Sequence, residues 1–265
     1  GLDVKAMQLN SLNITNIISV ISEPRLSPYD YLLRPVCKEN SLKSYFILTD
    51  LSSHFFSLLQ MIEIGLKNKI NFAMCEYTQD SLWFDSLTLT EPSRNLIKAA
   101  RDKAEKDFSN KRSAPEANDI VARISFGYWV YWLDRTHSQH AFWDNHAIQL
   151  FGVEKSELGK VFSQLLKANS LRNRLYHNEP VWKKDNLFRT DLRKAINNLI
   201  HKYDEMLALL KIISDDKYQA IVEANLVKNF YDDCERYKSA YTVRTKPRSK
   251  AKAKAKAKAT IAETN

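Results

Sequence analysis

The chain has 265 residues, 44% hydrophobic and 27% charged, with a formal net charge of +9; this is enough apolar material for a buried core in one or two domains and excludes wholesale disorder. Five glycines and seven prolines supply too few turns for a many-stranded sheet, so the expected fold class is all-α. No GxGxxG or GxxxxGK[ST] occurs, which excludes the nucleotide enzymes built on those phosphate cradles. Cys37, Cys75 and Cys234 form no CxxC pair and leave an odd count, arguing against a disulfide framework or a cysteine zinc site and for a reducing compartment. No apolar run approaches the roughly 18 residues of a membrane span, and no charged start leads into an apolar signal core. A cytoplasmic protein with no membrane partner is expected.

In chain order, Gly1–Ala6 precedes the first methionine, Met7, and reads as foreign to the fold. Ile14, Ile17, Ile18 and Ile21 make a short helix or strand, stopped by a loop with Pro24, Pro28 and Pro35. Residues 1–40 form an N-terminal segment packed on the body. From Ser41 to about Met74 the spacing of Leu48, Leu51, Phe55, Leu58, Leu59, Ile62, Leu66 and Ile70 predicts one long amphipathic helix, a central wall of the core. A polar insertion near 81–118 follows, its charged stretch Glu91–Asn118 an exposed helix between loops.

Between Ile120 and Phe151 lie Phe126, Tyr128, Trp129, Tyr131, Trp132, Phe142 and Trp143. Such a cluster can stack RNA bases or fill a core; the helical spacing of Phe126, Trp129 and Trp132 favours the core. Ser156 is the expected N-cap of a helix to Tyr176 that buries Leu158, Val161, Phe162, Leu165 and Leu166 and ends by Asn178 or Glu179, because Pro180 disfavours helical geometry before it. Long helices are predicted over Phe188–Ile213 and about Tyr218–Tyr237, closing a helical body over 41–243.

The remainder, 244–265, is a Lys/Ala-rich tail. Eight basic residues stand there against Glu263 alone, so it carries +7 and leaves only +2 to the rest of the chain. Alternating Lys and Ala offers no stripe to bury, so a disordered polycationic arm is expected, in which Lys250, Lys252 and Lys254 are candidate phosphate contacts.

Chemistry concentrates in Ser170-Leu171-Arg172-Asn173-Arg174-Leu175-Tyr176-His177-Asn178-Glu179-Pro180. A helix that has been burying leucines turns to Arg, Asn, Arg and His in its last turns. Asn173 and His177 are i, i+4 neighbours, and Arg172 lies one step round, its long side chain within swing of the same pocket. Cleaving RNA through its own 2′-hydroxyl needs a proton taken, a proton delivered to the leaving 5′-oxygen, and a cation on the developing charge. His177 suits the first two tasks and Arg172 the third. The spacing alone is weak: Arg135 and His140 repeat it, with His137 between them. The later match is preferred because Asn173 follows its Arg and because it ends an amphipathic helix. His137, His140 and His146 with Asp134 and Asp144 match no established zinc spacing, and neither a metal nor a cofactor is expected.

Several segments together resemble the Abi family of bacterial phage-defence proteins (abortive infection, AbiD/AbiF-like), whose C-terminal part is a HEPN-type helical ribonuclease domain. They are Ser22-Glu-Pro-Arg-Leu-Ser-Pro-Tyr29, the stretch from Tyr45 through Gln60-Met-Ile-Glu63 to Ile70, Phe126-Gly-Tyr-Trp129 and Leu171–Pro180, in the family's order across about Ser22 to Trp182. The resemblance implies a HEPN-like helical bundle with extra N-terminal helices and a metal-independent endoribonuclease acting on single-stranded RNA. Arg172 and His177 would be its catalytic pair, with Asn173 assisting and Glu63 beside them. It departs from the family at Lys67, where Arg is usual, and at Asn178, where a second His is usual. The resemblance further implies a homodimer with a composite site and, in some relatives, restraint by a noncoding RNA, for which Lys67, Lys69 and Arg174 would be phosphate contacts. The alternative is a non-catalytic RNA-binding protein that uses the same basic pocket to hold a structured noncoding RNA.

Overall fold

The computed structural model describes residues 7, 9, 12–87, 90–134, 146, 148–184 and 190–241. All regular structure among them is helical. The helices are α1 (Ile14–Ile21), α2 (Glu23–Leu26), α3 (Lys38–Ser53), α4 (Phe55–Thr78), α5 (Trp83–Ser86), α6 (Glu91–Phe108), α7 (Ala117–Arg123), α8 (Phe126–Tyr131), α9 (Ile148–Phe151), α10 (Leu158–Tyr176), α11 (Leu192–Ile213), α12 (Asp215–Glu223) and α13 (Leu226–Tyr241). None of the described helices is long and apolar enough to cross a membrane.

The apolar periodicity of α4 becomes the central wall. Phe55, Leu58, Leu59, Ile62, Leu66, Ile70 and Met74 are buried, and α4 packs against α11, α10, α8 and α3. Each such side chain taken out of water contributes about 1.5–3 kcal/mol before ordering costs. Gly65 sits at the closest approach: a Cβ there would stand 3.1 Å from Ile213 Cγ2 and 3.4 Å from Lys217 Cδ. Two aromatic groups lie within the core. Tyr203 stacks on Phe230 at 3.9 Å with Phe55 edge-on to Tyr203 at 5.4 Å, and Trp83 meets Trp132 and Trp129 at 5.7 and 6.1 Å. Phe126, Tyr128, Trp129 and Trp132 are buried, so these members of the aromatic stretch are core. Phe142 and Trp143 lie outside the described residues, as does the tail from 242 onward.

The helix-or-strand alternative left open at 14–21 resolves to helix, and several other features differ from the sequence expectation. The segment 14–21 is helix, because the Asn13 side chain accepts from the Asn16 amide and caps it. The proline-rich stretch after it also turns, as α2 and a 3-10 turn over Ser27–Tyr29. The single helix expected over 41–74 is interrupted at His54, where the Ser52 and Ser53 hydroxyls donate to the Leu48 and Asp50 carbonyls at 2.5 and 2.6 Å. Such back-bonding competes with the helix ladder. The final helix is likewise two, parted at Asn225, whose φ of 59° ends the first. Finally, Ser156 does not cap α10: it lies inside a 3-10 turn over Lys155–Glu157, and Glu157 takes the cap position.

Candidate active site

The site grows from the end of α10. Leu158, Val161, Leu165, Ala168 and Leu171 recur three or four apart and are buried, which fixes the rotation of the helix and turns Asn173 and His177 to solvent. His177 occupies the C-cap. Beyond it Asn178 takes a left-handed φ of 54°, the Asn178 amide donates to the Leu175 carbonyl and the Glu179 amide to the Arg174 carbonyl at 2.8 Å. This paired closure is the Schellman arrangement, in which a left-handed residue satisfies the last helical carbonyls. Arg25 of α2 adds a bond from its guanidinium to the Asn178 carbonyl at 3.5 Å, so the Ser22–Tyr29 segment meets the Leu171–Pro180 segment in space.

Two neighbouring grooves flank this helix end. Asn173 and His177 line one, of about 360 Å³, with Tyr131, Asn169, Arg174 and Glu179. Arg172 lines the other, of about 460 Å³, with Phe56, Gln60, Glu63 and Tyr176. The division follows from helix geometry: residues five apart stand about 140° apart around the axis. In this conformation Arg172 does not swing onto the His177 groove as expected. Its Nη1 donates to Asn173 Oδ1 at 3.5 Å, and this contact is the link between the grooves.

Glu63 does stand beside Arg172, with Oε2 3.6 Å from Nε. That distance is an ion pair but too long for a hydrogen bond, and the buried Nε–H has no hydrogen-bond partner. The Arg172 guanidinium also lies over the Tyr176 ring at 4.2 Å. Both members of the ion pair are about a quarter to a third exposed, a setting in which such pairs contribute at most about 1 kcal/mol. The pair therefore steers Arg172 without locking it.

The remaining expected residues divide. Lys67 follows Glu63 by one helical turn of α4. Arg174 borders the His177 groove. Lys69 stands apart: its ammonium donates to the Ile213 carbonyl at 2.9 Å, closing the C-terminus of α11, and burial pushes it below the ordinary lysine range. Lys250, Lys252, Lys254, Arg135, His137, His140 and Asp144 lie outside the described residues. Sequence reading passed over Phe56, Gln60 and Tyr176. Their signal was present, because Phe56, Gln60 and Glu63 share one face of α4 and Tyr176 follows Arg172 by four.

The family model described as Abi-like protein matches residues 28–183, more than half of the chain and inclusive of both grooves. No curated protein matches, and no solved structure matches.

Proposed function

The chain belongs to the Abi-like protein family, which suggests a part in abortive-infection phage defence, and from that premise we propose that it is a metal-independent HEPN-type endoribonuclease cutting single-stranded RNA. The observation that carries the reading is the end of α10, where a solvent-facing His177 and Asn173 share one groove and Arg172 lines the next. His177 exchanges the proton of the ribose 2′-hydroxyl or of the leaving 5′-oxygen. The 2′-oxygen bonds to phosphorus as the P–O5′ bond breaks, leaving a cyclic phosphate and a 5′-hydroxyl. Arg172 stabilises the charge on the phosphoryl oxygens and Asn173 orients the phosphate. Glu63 acts on Arg172, aiming it.

The reading includes an isologous homodimer, in which two α10 ends meet across a two-fold axis so that the Arg172 groove of each protomer meets the His177 groove of its copy. Incubation of wild type and His177→Ala with labelled single-stranded RNA in EDTA tests the chemistry. Wild type alone is expected to produce fragments ending in cyclic phosphate. Intact RNA with both, together with RNA recovered from the purified protein, would establish the non-catalytic RNA-binding alternative instead. Sedimentation at the cleavage concentration tests the assembly, and a cleaving monomer would remove the composite site.

A further inference from the structure

Among the described residues, a concentration of positive charge lies in a groove between α10 and α11. Lys167, Arg174, Lys183, Lys184 and Lys202 line it against the single carboxylate of Glu205, around a volume of about 350 Å³. Elsewhere the described surface mixes signs, for example Lys98 with Asp102 and Lys228 with Asp232 as i, i+4 pairs. An excess of one sign along a groove attracts the opposite sign and focuses its field there.

The groove is a built feature. Lys202 donates to the Val181 and Lys183 carbonyls at 2.6 and 2.9 Å, which fastens the segment after Pro180 onto α11. Val181 and Trp182 are buried, and the Trp182 ring packs on Tyr29 at 5.5 Å. Lys183 and Lys184 are therefore displayed from an anchored backbone, both exposed. Across the groove Glu205 is shared between Lys167 at 3.3 Å and His201 at 3.2 Å, exposed pairings weak enough for a phosphate to replace. Ser170 and Arg174 line both this groove and the one that holds Asn173 and His177. One turn of α10 thus forms the common wall of a charged channel and the candidate site.

We infer that this groove binds the phosphodiester backbone of the RNA strand flanking the cleavage point, with Lys167, Lys183 and Lys184 on successive phosphates and Lys202 as the residue that positions the latter two. The inference rests on the ribonuclease reading for its ligand. Cations on phosphates give affinity without sequence preference and fix the register of the strand. The groove therefore sets which phosphate reaches His177, while leaving the bases unread.

The test compares two triple variants of the full chain, each carrying His177→Ala so that RNA survives the measurement. One is Lys167→Gln/Lys183→Gln/Lys184→Gln; the other removes equal charge from a distant surface, Lys103→Gln/Lys106→Gln/Lys111→Gln. Anisotropy of a labelled single-stranded RNA is followed across a salt series. For the groove triple, affinity is expected to fall roughly tenfold near 0.1 M salt, and the slope of log K against log salt to shrink by about 2, at about 0.7 per phosphate released from a single strand. The distant triple is expected to keep the wild-type slope. An unchanged slope in the groove triple, or an equal loss in both, would overturn the assignment. With His177 restored, the groove triple is expected to raise KM and leave kcat. Should wild type cleave nothing while the groove triple still loses affinity, the groove stands and the nuclease reading falls. Should wild type cleave while the groove triple binds as before, the reverse holds.

Discussion

Two polar clusters in this molecule have nearly the same composition and different chemistry. At the α3–α4 joint, His54 bonds Asp233 at 2.8 Å, Arg236 donates to the same carboxylate at 3.0 Å, and the Tyr237 hydroxyl donates to Asp50 at 2.6 Å. Arg236 also covers the Tyr237 ring at 4.2 Å. At the end of α10, His177, Arg172, Glu63 and Tyr176 repeat the cast, with Arg172 again over its tyrosine at 4.2 Å. The contacts differ: the α10 pairings are 3.5 and 3.6 Å, Arg172 keeps an unbonded Nε–H, and His177 is exposed. The first cluster spends its hydrogen bonds tying together helices that are far apart in sequence. The second holds its capacity open. Residue type alone does not separate a brace from a site; the satisfaction of donors and acceptors does.

The largest effect that should break the comparison is on rate. His177→Ala and Arg172→Ala are each expected to lower RNA cleavage about 10²–10⁴-fold with little movement of the thermal midpoint, read by single-turnover cleavage beside thermal unfolding. A rate loss that follows unfolding would make the α10 cluster a second brace.

The converse holds at the joint. Asp233→Asn is expected to cost about 1–2 kcal/mol near neutral pH, since charged hydrogen bonds are lost, with cleavage by the folded fraction unchanged. Burial acts to raise the Asp233 carboxyl, but hydrogen bonds from Arg236 and His54 outweigh it and hold the group below its ordinary 3.8. A depressed carboxylate stabilises the fold above its unfolded value and loses that contribution as pH falls through the folded one. The gap between wild type and Asp233→Asn in urea titrations should therefore close below about pH 4. Tyr237 carries the opposite sign. Burial and its bond to Asp50 push it up from 10.0 to about 12, so its contribution is whole below pH 10 and is lost as pH rises toward 12. Tyr237→Phe should flatten that alkaline decline, and equal declines would show that the hydroxyl is not the titrating brace.

The smallest expected effect concerns Glu63. Glu63→Gln should leave stability within about 1 kcal/mol, as for other partly exposed ion pairs. If the proposed aiming of Arg172 holds, kcat should fall by about tenfold, near 1.4 kcal/mol of barrier, with KM steady and partial recovery in Glu63→Asp. A KM effect alone would assign Glu63 to binding.

Apolar spacing carried the architecture. The positions of Leu58, Ile62, Leu66 and Ile70, and of Leu158, Val161 and Leu165, were readable because a 3.6-residue period has one way to bury a stripe. The helix breaks at His54 and Asn225 were not, because they depend on which carbonyl a serine hydroxyl reaches and on one left-handed residue. The chemistry-bearing block at Arg172–Pro180 was legible as a run of polar residues after a leucine stripe. Its partners were not: Arg25 reaches Asn178 from 153 residues away, and Lys183 and Lys184 enter the charged groove only because Lys202 and the buried Trp182 hold their backbone.

By itself, then, the amino-acid order determined an all-helical protein, much of the buried stripe of its three central long helices and the place in the chain where a leucine-rich face gives way to Arg, Asn and His. Tertiary structure decided that Arg172 and His177 open onto separate grooves, that Lys69 closes a helix end and that one wall of the His177 groove continues into a line of lysines. Periodicity is a local property, written every few residues and enforced by water. The choice between a satisfied brace and an open site depends on distances between segments remote in sequence, which only packing sets.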